Sequence, residues 1–405
     1  MPAIDFHRTL PGYAPTPLRD LPSLAAELGV GRVLVKEEAS RLGLPSFKVL
    51  GASYAVARAL ADRFGAAALT LDAVRDAVRG HAVRLYAATD GNHGRAVAHV
   101  AALVGAAATV YLPPGVTEDA RSAITAEGAR TVEVDGDYDA AVARAAADAA
   151  GDPTAVLVQD TSWAGYTEVP QWIVDGYATL CQETDDQVAA LGLGAPDLVV
   201  VPVGVGSLAQ AVASHYRGAD HGGPALLAVE SDRAAALVAS LRAGERVSVP
   251  VGETIMTGLA CGTVSALAWP VLRDGLGGAV TVSDDQVAAA VEDLARLGVD
   301  SGPCGAAPSP RPASCWGRRG GGAPSVCGPT PWCCCCRPRA GRPTPCPRTG
   351  SEPGPPSRTV PARSFRARLA AHLSARPSAR PAARRPRAGP AAAALPRLRC
   401  AARAG

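Results

Sequence analysis

An α/β fold, with two open and mostly parallel twisted sheets flanked by helices, is what this 405-residue chain predicts. Short apolar runs alternate with amphipathic ones as far as residue 307, the signature of parallel strands joined by crossover helices. Two of the apolar runs also end in polar or glycine-rich turns that open a helical pattern, at residues 87–94 and 197–212.

Strands are expected at residues 32–36, 84–88, 109–112, 131–134, 155–159, 198–203 and 225–229, each a short run rich in apolar residues. Between them, residues 53–64, 95–104, 139–150 and 171–181 carry apolar side chains at helical spacing. Ser283, Asp284 and Asp285 before QVAAAVEDLARLG read as a capped helix whose first-turn acids complement the dipole.

Composition breaks sharply after Ala307. Residues 1–307 hold 21 basic and 36 acidic residues, a formal charge of −15; the remaining 98 hold 19 arginines, no lysine and only Glu352, a charge of +18. The overall +3 is therefore a cancellation and names no nucleic-acid or acidic partner for the body. Only Cys181, Cys261 and Cys304 fall in the body, which fits a reduced, cytoplasmic enzyme. The N-terminus lacks a basic start followed by an apolar run, and no stretch is long and apolar enough for a membrane span. With 19 prolines in residues 308–405, regular elements are excluded there, and the segment reads as disordered. Two origins compete: a GC-rich gene read out of frame, which the pattern stopping mid-element favours, or a basic arm able to bind nucleic acid or anionic membrane. The run Cys333–Cys336 lacks histidines and paired spacing, so no metal site is expected.

The chain has two lysines. Lys36 adjoins Glu37 and Glu38 and reads as half of a solvated ion pair. Lys48, in PSFKVLGAS, lies among Phe47, Val49 and Leu50, directly before a Gly-Ala-Ser-Tyr turn into a helix. Partial burial favours the neutral amine of a nucleophilic lysine; the plain alternative is a helix-start lysine with its stem on apolar surface. In AATDGNHG, residues 87–94, a strand end opens a helix whose free N–H groups suit a carboxylate or phosphate, with Thr89, Asp90, Asn92 and His93 facing one cleft. The same residues are also ordinary turn formers. In DLVVVPVGVGSLAQAV, the successive N–H groups of Gly204, Val205, Gly206, Ser207 and Leu208 suit a phosphate. Gly204, Gly206 and Ala209 with Glu230 after them also match a dinucleotide fingerprint, which keeps a nicotinamide-dependent enzyme open at this point.

Taken together with QDTSWAGYTEVPQWIVDGYATL and GETIMTGLACG, these segments resemble the fold-type II pyridoxal-phosphate enzymes, and among them the diaminopropionate ammonia-lyases, from about Tyr13 to Ala307. Serine and threonine dehydratases share the cofactor features but not the Asp-Gly between Thr89 and Asn92. The resemblance implies pyridoxal 5′-phosphate held by Lys48, its 3′-hydroxyl met by Asn92 and its phosphate by Gly204, Val205, Gly206, Ser207 and Leu208. It implies Thr89, Asp90 and His93 around a small amino-acid substrate, with Lys48 and Asp90 as the acid–base pair, in a homodimer. It implies a large cofactor domain from residues 1–50 plus 166–307 and a small domain from 51–165. Two departures stand out: Pro303 and Cys304 replace the family's Glu and Ser in its Ser-Gly-Glu-Ser-Gly-Ala loop. Nothing after Pro308 resembles the later strand that ends near Thr-Glu-Gly and faces the pyridine nitrogen. The remaining alternative is an inactive product that acts only through its basic arm.

Overall fold

A computed structural model describes residues 1–89, 91–217 and 223–309. The described residues all belong to a unit of residues 1–343; a second unit, 344–405, lies outside them, as does all of the expected low-complexity tail 308–405 but its first two residues.

The N-terminal stretch runs α1 (Ala3–His7), β1 (Leu18–Asp20), α2 (Pro22–Leu28) and β2 (Leu34–Lys36). The short α2 folds the chain straight back, so β2 pairs antiparallel with β1 instead of joining a parallel sheet. Then come α3 (Lys48–Phe64), α4 (Leu71–Val78), β3 (Arg84–Ala88), α5 (Asn92–Val104), β4 (Ala107–Leu112), α6 (Glu118–Ala126), β5 (Arg130–Glu133), α7 (Tyr138–Ala150) and β6 (Ala155–Leu157). Their strands form one parallel sheet in the order β5-β4-β3-β6. Next are α8 (Glu168–Ala190), β7 (Leu198–Pro202), α9 (Ser207–Arg217), β8 (Ala225–Ser231), α10 (Ala236–Ala243), α11 (Ala268–Gly275), β9 (Gly278–Val282), α12 (Asp284–Arg296) and α13 (Pro303–Ala306). They build a second parallel sheet, β7-β8-β9. The expected pair of mostly parallel sheets is present, and β9 is a strand the apolar pattern did not single out. Ser283 caps α12 in the expected reciprocal box with Gln286.

One element start differs in a way that matters. Lys48 is the first residue of α3, and Gly51, Ala52 and Ser53 are helical where a turn was expected. Glycine disfavours a helix interior locally, but here tertiary packing decides. A Cβ on Gly51 would lie 2.5 Å from Cε1 of Tyr177 in α8, so the missing side chain lets the two helices close. The largest core forms around this contact: Val49, Leu50, Val56 and Leu60 of α3 are fully buried with Leu85, Val110 and Ile173. Burial of such side chains contributes about 1.5–3 kcal/mol each, which is why the α3–α8 contact fixes the position of Lys48.

The order β5-β4-β3-β6 has a consequence for function. The chain builds outward from β3 to β5 and then places β6 on the opposite side of β3, so the sheet has a switch point between β3 and β6. Ligands of open α/β sheets bind outside the carboxyl ends of strands at such a point.

Candidate active site

The loops leaving β3 and β6 meet at that switch point. Gln159, completely buried, accepts from the Ala88 N–H at 2.9 Å and donates to the Ala88 carbonyl at 3.1 Å, so the two loops leave the sheet in fixed register. Its amide also donates to the Tyr138 hydroxyl at 2.7 Å. After β3, the Thr89 hydroxyl accepts from the Gly91 N–H at 2.9 Å and α5 begins at Asn92. Asp90 lies outside the described residues.

Asp160, one residue further, joins the separate sequence motifs. Lys48 Nζ donates to Asp160 Oδ2 at 2.6 Å, and Ser207 Oγ donates to the Asp160 backbone carbonyl at 2.6 Å. His93 Nδ1 stands 3.9 Å from Asp160 Oδ2, and its Nε2 donates to the Val158 carbonyl at 2.8 Å. Burial alone would raise the Asp160 carboxyl; the Lys48 charge and its hydrogen bond override it and hold the group well below the usual carboxylate range. Burial also lowers the basicity of His93, so its ring is neutral and Nδ1 carries a lone pair. Asp160 was not among the residues singled out from the sequence. Its signal was there: an acid directly after a strand, within the QDTSW segment.

The turn after β7 faces the same place. Gly206 has φ +100°, a left-handed conformation that favours glycine, and a Cβ on Gly204 would stand 2.6 Å from the Gly258 carbonyl. Ser265 N–H donates to the Val205 carbonyl at 2.8 Å, and Ser162 and Ser265 bond through their hydroxyls at 2.7 Å, pinning the turn to the Asp160 loop. Helix α9 starts at Ser207, and its first N–H groups have no carbonyl within the helix to meet. The geometry therefore assembles Lys48, His93 and the turn 204–208 around Asp160. Thr89 and Asn92 stand at the start of α5 beside them.

Two buried polar atoms in this region have no hydrogen-bond partner among the described residues: His93 Nδ1 and the Tyr177 hydroxyl. Lys48 and Asp160 are the two charges that bear on the Tyr177 hydroxyl. Unsatisfied buried groups of this kind call for a ligand or a functional explanation. A cofactor bringing an anion to the 204–208 turn and an aldehyde to Lys48 fits the residues present.

Two readings of the sequence are corrected. Lys36 is not solvated: its Nζ donates to Glu183 Oε2 at 2.8 Å, to the Thr16 carbonyl at 2.7 Å and to Gln187 at 2.9 Å. The partner comes from α8, a distance that local sequence hides. Beside it, fully buried Arg41 makes a two-point contact with Glu183, at 2.6 and 2.7 Å, and another with Glu38, at 2.8 and 2.7 Å. Glu230, offered as a ribose-binding acid, is instead engaged in the fold: its carboxylate accepts from Leu237 and Val238 N–H groups at 2.8 Å each, at the start of α10.

Burial raises the Glu230 carboxyl to about 7 although two amides donate to it. A folded value above the unfolded one contributes stability that is complete below about pH 4.5 and lost as pH rises through 7, on the order of 3 kcal/mol. Urea denaturation should accordingly show the wild-type protein losing stability from pH 5 to pH 7.5 relative to Glu230→Gln. Parallel curves for the two proteins would refute the assignment.

A parallel α/β sheet whose switch point faces a half-buried lysine, with a helix-opening glycine turn suited to phosphate, fits the class of enzymes that bind a phosphorylated cofactor. The family of pyridoxal-phosphate dependent enzymes matches residues 9–309, and the chain belongs to that family, with pyridoxal 5′-phosphate as its cofactor. It is 38% identical over 279 residues to diaminopropionate ammonia-lyase of Escherichia coli, covering 67% of this chain and 69% of that protein. The crystal structure of holo diaminopropionate ammonia lyase from Escherichia coli superposes with TM-score 0.71 at 34% identity, covering 76% of this chain and 78% of that one. The biosynthetic L-threonine dehydratase of Escherichia coli is 28% identical over 285 residues, 69% of this chain and 48% of that protein. The family match ends where the composition of the chain changes. No helix among the described residues is long and apolar enough to cross a membrane.

Proposed function

We propose that this chain is a pyridoxal-phosphate dependent ammonia-lyase that carries 2,3-diaminopropionate through α,β-elimination to pyruvate and ammonia. The Lys48–Asp160 pair, with the 204–208 turn bonded to one side of it and His93 at the other, is the observation that carries the reading. Likeness to diaminopropionate ammonia-lyase, stronger than to threonine dehydratase, favours that substrate.

Lys48 would hold the cofactor, Asn92 would meet its 3′-hydroxyl, and Gly204, Val205, Gly206, Ser207 and Leu208 its phosphate. When bound, the cofactor supplies an electron sink for the carbanion at the substrate α-carbon. The start of α5, with Thr89 and His93 beside it, receives the substrate carboxylate through its N–H groups and dipole. The Lys48 amine takes the α-proton from one face, and Asp90 is assigned to the other, so that either enantiomer reacts. Asp160 remains an anion through this cycle and returns Lys48 to the same place as an ammonium. Residues 1–50 with 166–307 are assigned as the large domain and 51–165 as the small one; each of the two parallel sheets falls inside one of them. A cytoplasmic homodimer completes the reading, the first supported by three cysteines without disulfides among the described residues.

Full-length protein supplied with pyridoxal phosphate should release two ammonia per pyruvate from 2,3-diaminopropionate, at a rate roughly tenfold or more above that from serine or threonine. Faster turnover of serine, or no pyruvate from diaminopropionate in cofactor-loaded protein, would sink the substrate assignment.

A further inference from the structure

We propose that the Ser207 hydroxyl is a positioning group for Asp160, and through it for Lys48, while backbone N–H groups alone meet the phosphate at the 204–208 turn. This role rests on the tether and phosphate sites proposed above. Ser207 carries the one hydroxyl of the turn. A serine has a single O–H to give, and here it is committed: Ser207 is buried, and its Oγ donates to the Asp160 backbone carbonyl at 2.6 Å. That carbonyl has no other donor among the described residues. Turning the hydroxyl toward an anion would leave the carbonyl unsatisfied, which is unfavourable. The turn also has donors enough without it. The N–H groups of Gly204, Val205, Gly206, Ser207 and Leu208 donate to no backbone carbonyl among the described residues, so all of them remain for an anion.

Holding the backbone of residue 160 matters because its carboxylate is linked to that backbone. The Asp160 N–H donates to its own carboxylate, so a shift of the peptide carries with it the oxygen that Lys48 Nζ meets at 2.6 Å. A second strap runs beside the first. The Ser162 N–H donates to Ser265 Oγ at 3.2 Å, the two hydroxyls bond at 2.7 Å, and the Ser265 N–H donates to the Val205 carbonyl at 2.8 Å. Residues 205 and 207 are thus both tied to the 160–162 segment, and the turn that takes the phosphate also sets the place of the Lys48 counterion. The other titratable groups facing that carboxylate are His93 of α5, with Nδ1 3.9 Å from Oδ2, and Tyr138 of α7, with its hydroxyl 3.5 Å from Oδ1. Tyr177 of α8 adds a third, within reach of the charges on Lys48 and Asp160.

Ser207→Ala removes the hydroxyl and keeps every N–H of the turn. On full-length protein before cofactor is added, the acetylation rate of Lys48 at fixed pH is read by mass spectrometry of its peptide, and affinity for inorganic phosphate by calorimetry. An ammonium does not acylate, so loosening Asp160 should speed Lys48 acetylation about five- to tenfold, the equivalent of up to about one pH unit. Phosphate affinity should stay within roughly twofold of wild type. Ser207→Thr restores the hydroxyl and should return the rate to the wild-type value. A loss of phosphate affinity of about tenfold overturns the proposal, because it makes the hydroxyl a phosphate ligand. An acetylation rate that is unchanged or slower also overturns it, and with a lowered thermal midpoint assigns the hydroxyl to packing alone. Should Ser207→Ala fail to fold, Ser207→Cys, of similar size and weaker as a donor, is held to the same outcomes. If wild-type protein binds no phosphate, the phosphate site itself falls and this inference with it; a rate unmoved by the variant removes only the role of Ser207.

Discussion

Lys48→Ala is expected to end cofactor capture and to lower turnover roughly a thousandfold or more, the size of effect that follows removal of a covalent tether and base together. The lysine inventory makes this test unusually clean. With two lysines in the chain and Lys36 held by Glu183, Gln187 and a backbone carbonyl, reductive trapping in the variant should leave no pyridoxyl group on a lysine side chain. Trapping on Lys36, or turnover at the wild-type rate, would remove Lys48 from its role. The substitution also leaves the buried Asp160 without its cation, so folding must be verified by circular dichroism. Lys48→Arg keeps a positive charge for Asp160 but cannot condense with an aldehyde; it should fold like wild type and still capture nothing.

The second large effect concerns Arg41. Replacing it by Met should destabilise the protein by about 3–5 kcal/mol, read as a fall in the urea midpoint, because Glu183 and Glu38 lose the guanidinium that pairs with both. Lys36 remains on Glu183 and limits the loss. Arg41→Lys should fall between the two, since an ammonium cannot supply two planar, two-point contacts at once. Equal stability of wild type and Arg41→Met would show that the buried charges have another route to neutralisation. The damage should reach the active site too. The segment from Arg41 to Phe47 is anchored at both ends on α8, by Glu183 at one end and Tyr177 at the other, and Lys48 follows directly.

The parts of this site legible in the sequence are those made of contiguous residues. Lys48, the start of α5 after β3, and the turn Gly204 to Leu208 each announce themselves within a few positions, because strand ends, helix starts and glycine turns are local events. Asp160 did not, because what defines it is a partner in another element. The bond from Lys48 to Asp160 spans 112 positions. The same blindness assigned Lys36 to its adjacent glutamates when its partner is in α8, and took Gly51 for a turn residue when its value lies in what it lacks. Glu230 had the spacing of a ribose-binding acid, yet the start of α10 had already claimed both of its oxygens.

The reach of those contacts also sets a timetable. Arg41 and Glu183 are 142 positions apart, and Lys48 depends on residues 160 and 177 for its surroundings. During synthesis at about 5–20 residues per second, the lysine and the charged cluster behind it therefore wait on the order of ten seconds for their partners to leave the ribosome. Until α8 arrives, Lys48 is a solvated amine like any other, and Arg41 and Glu38 are surface charges. The candidate active site thus cannot be completed until α8 and then the 204–208 turn, both translated long after Lys48, have followed it out.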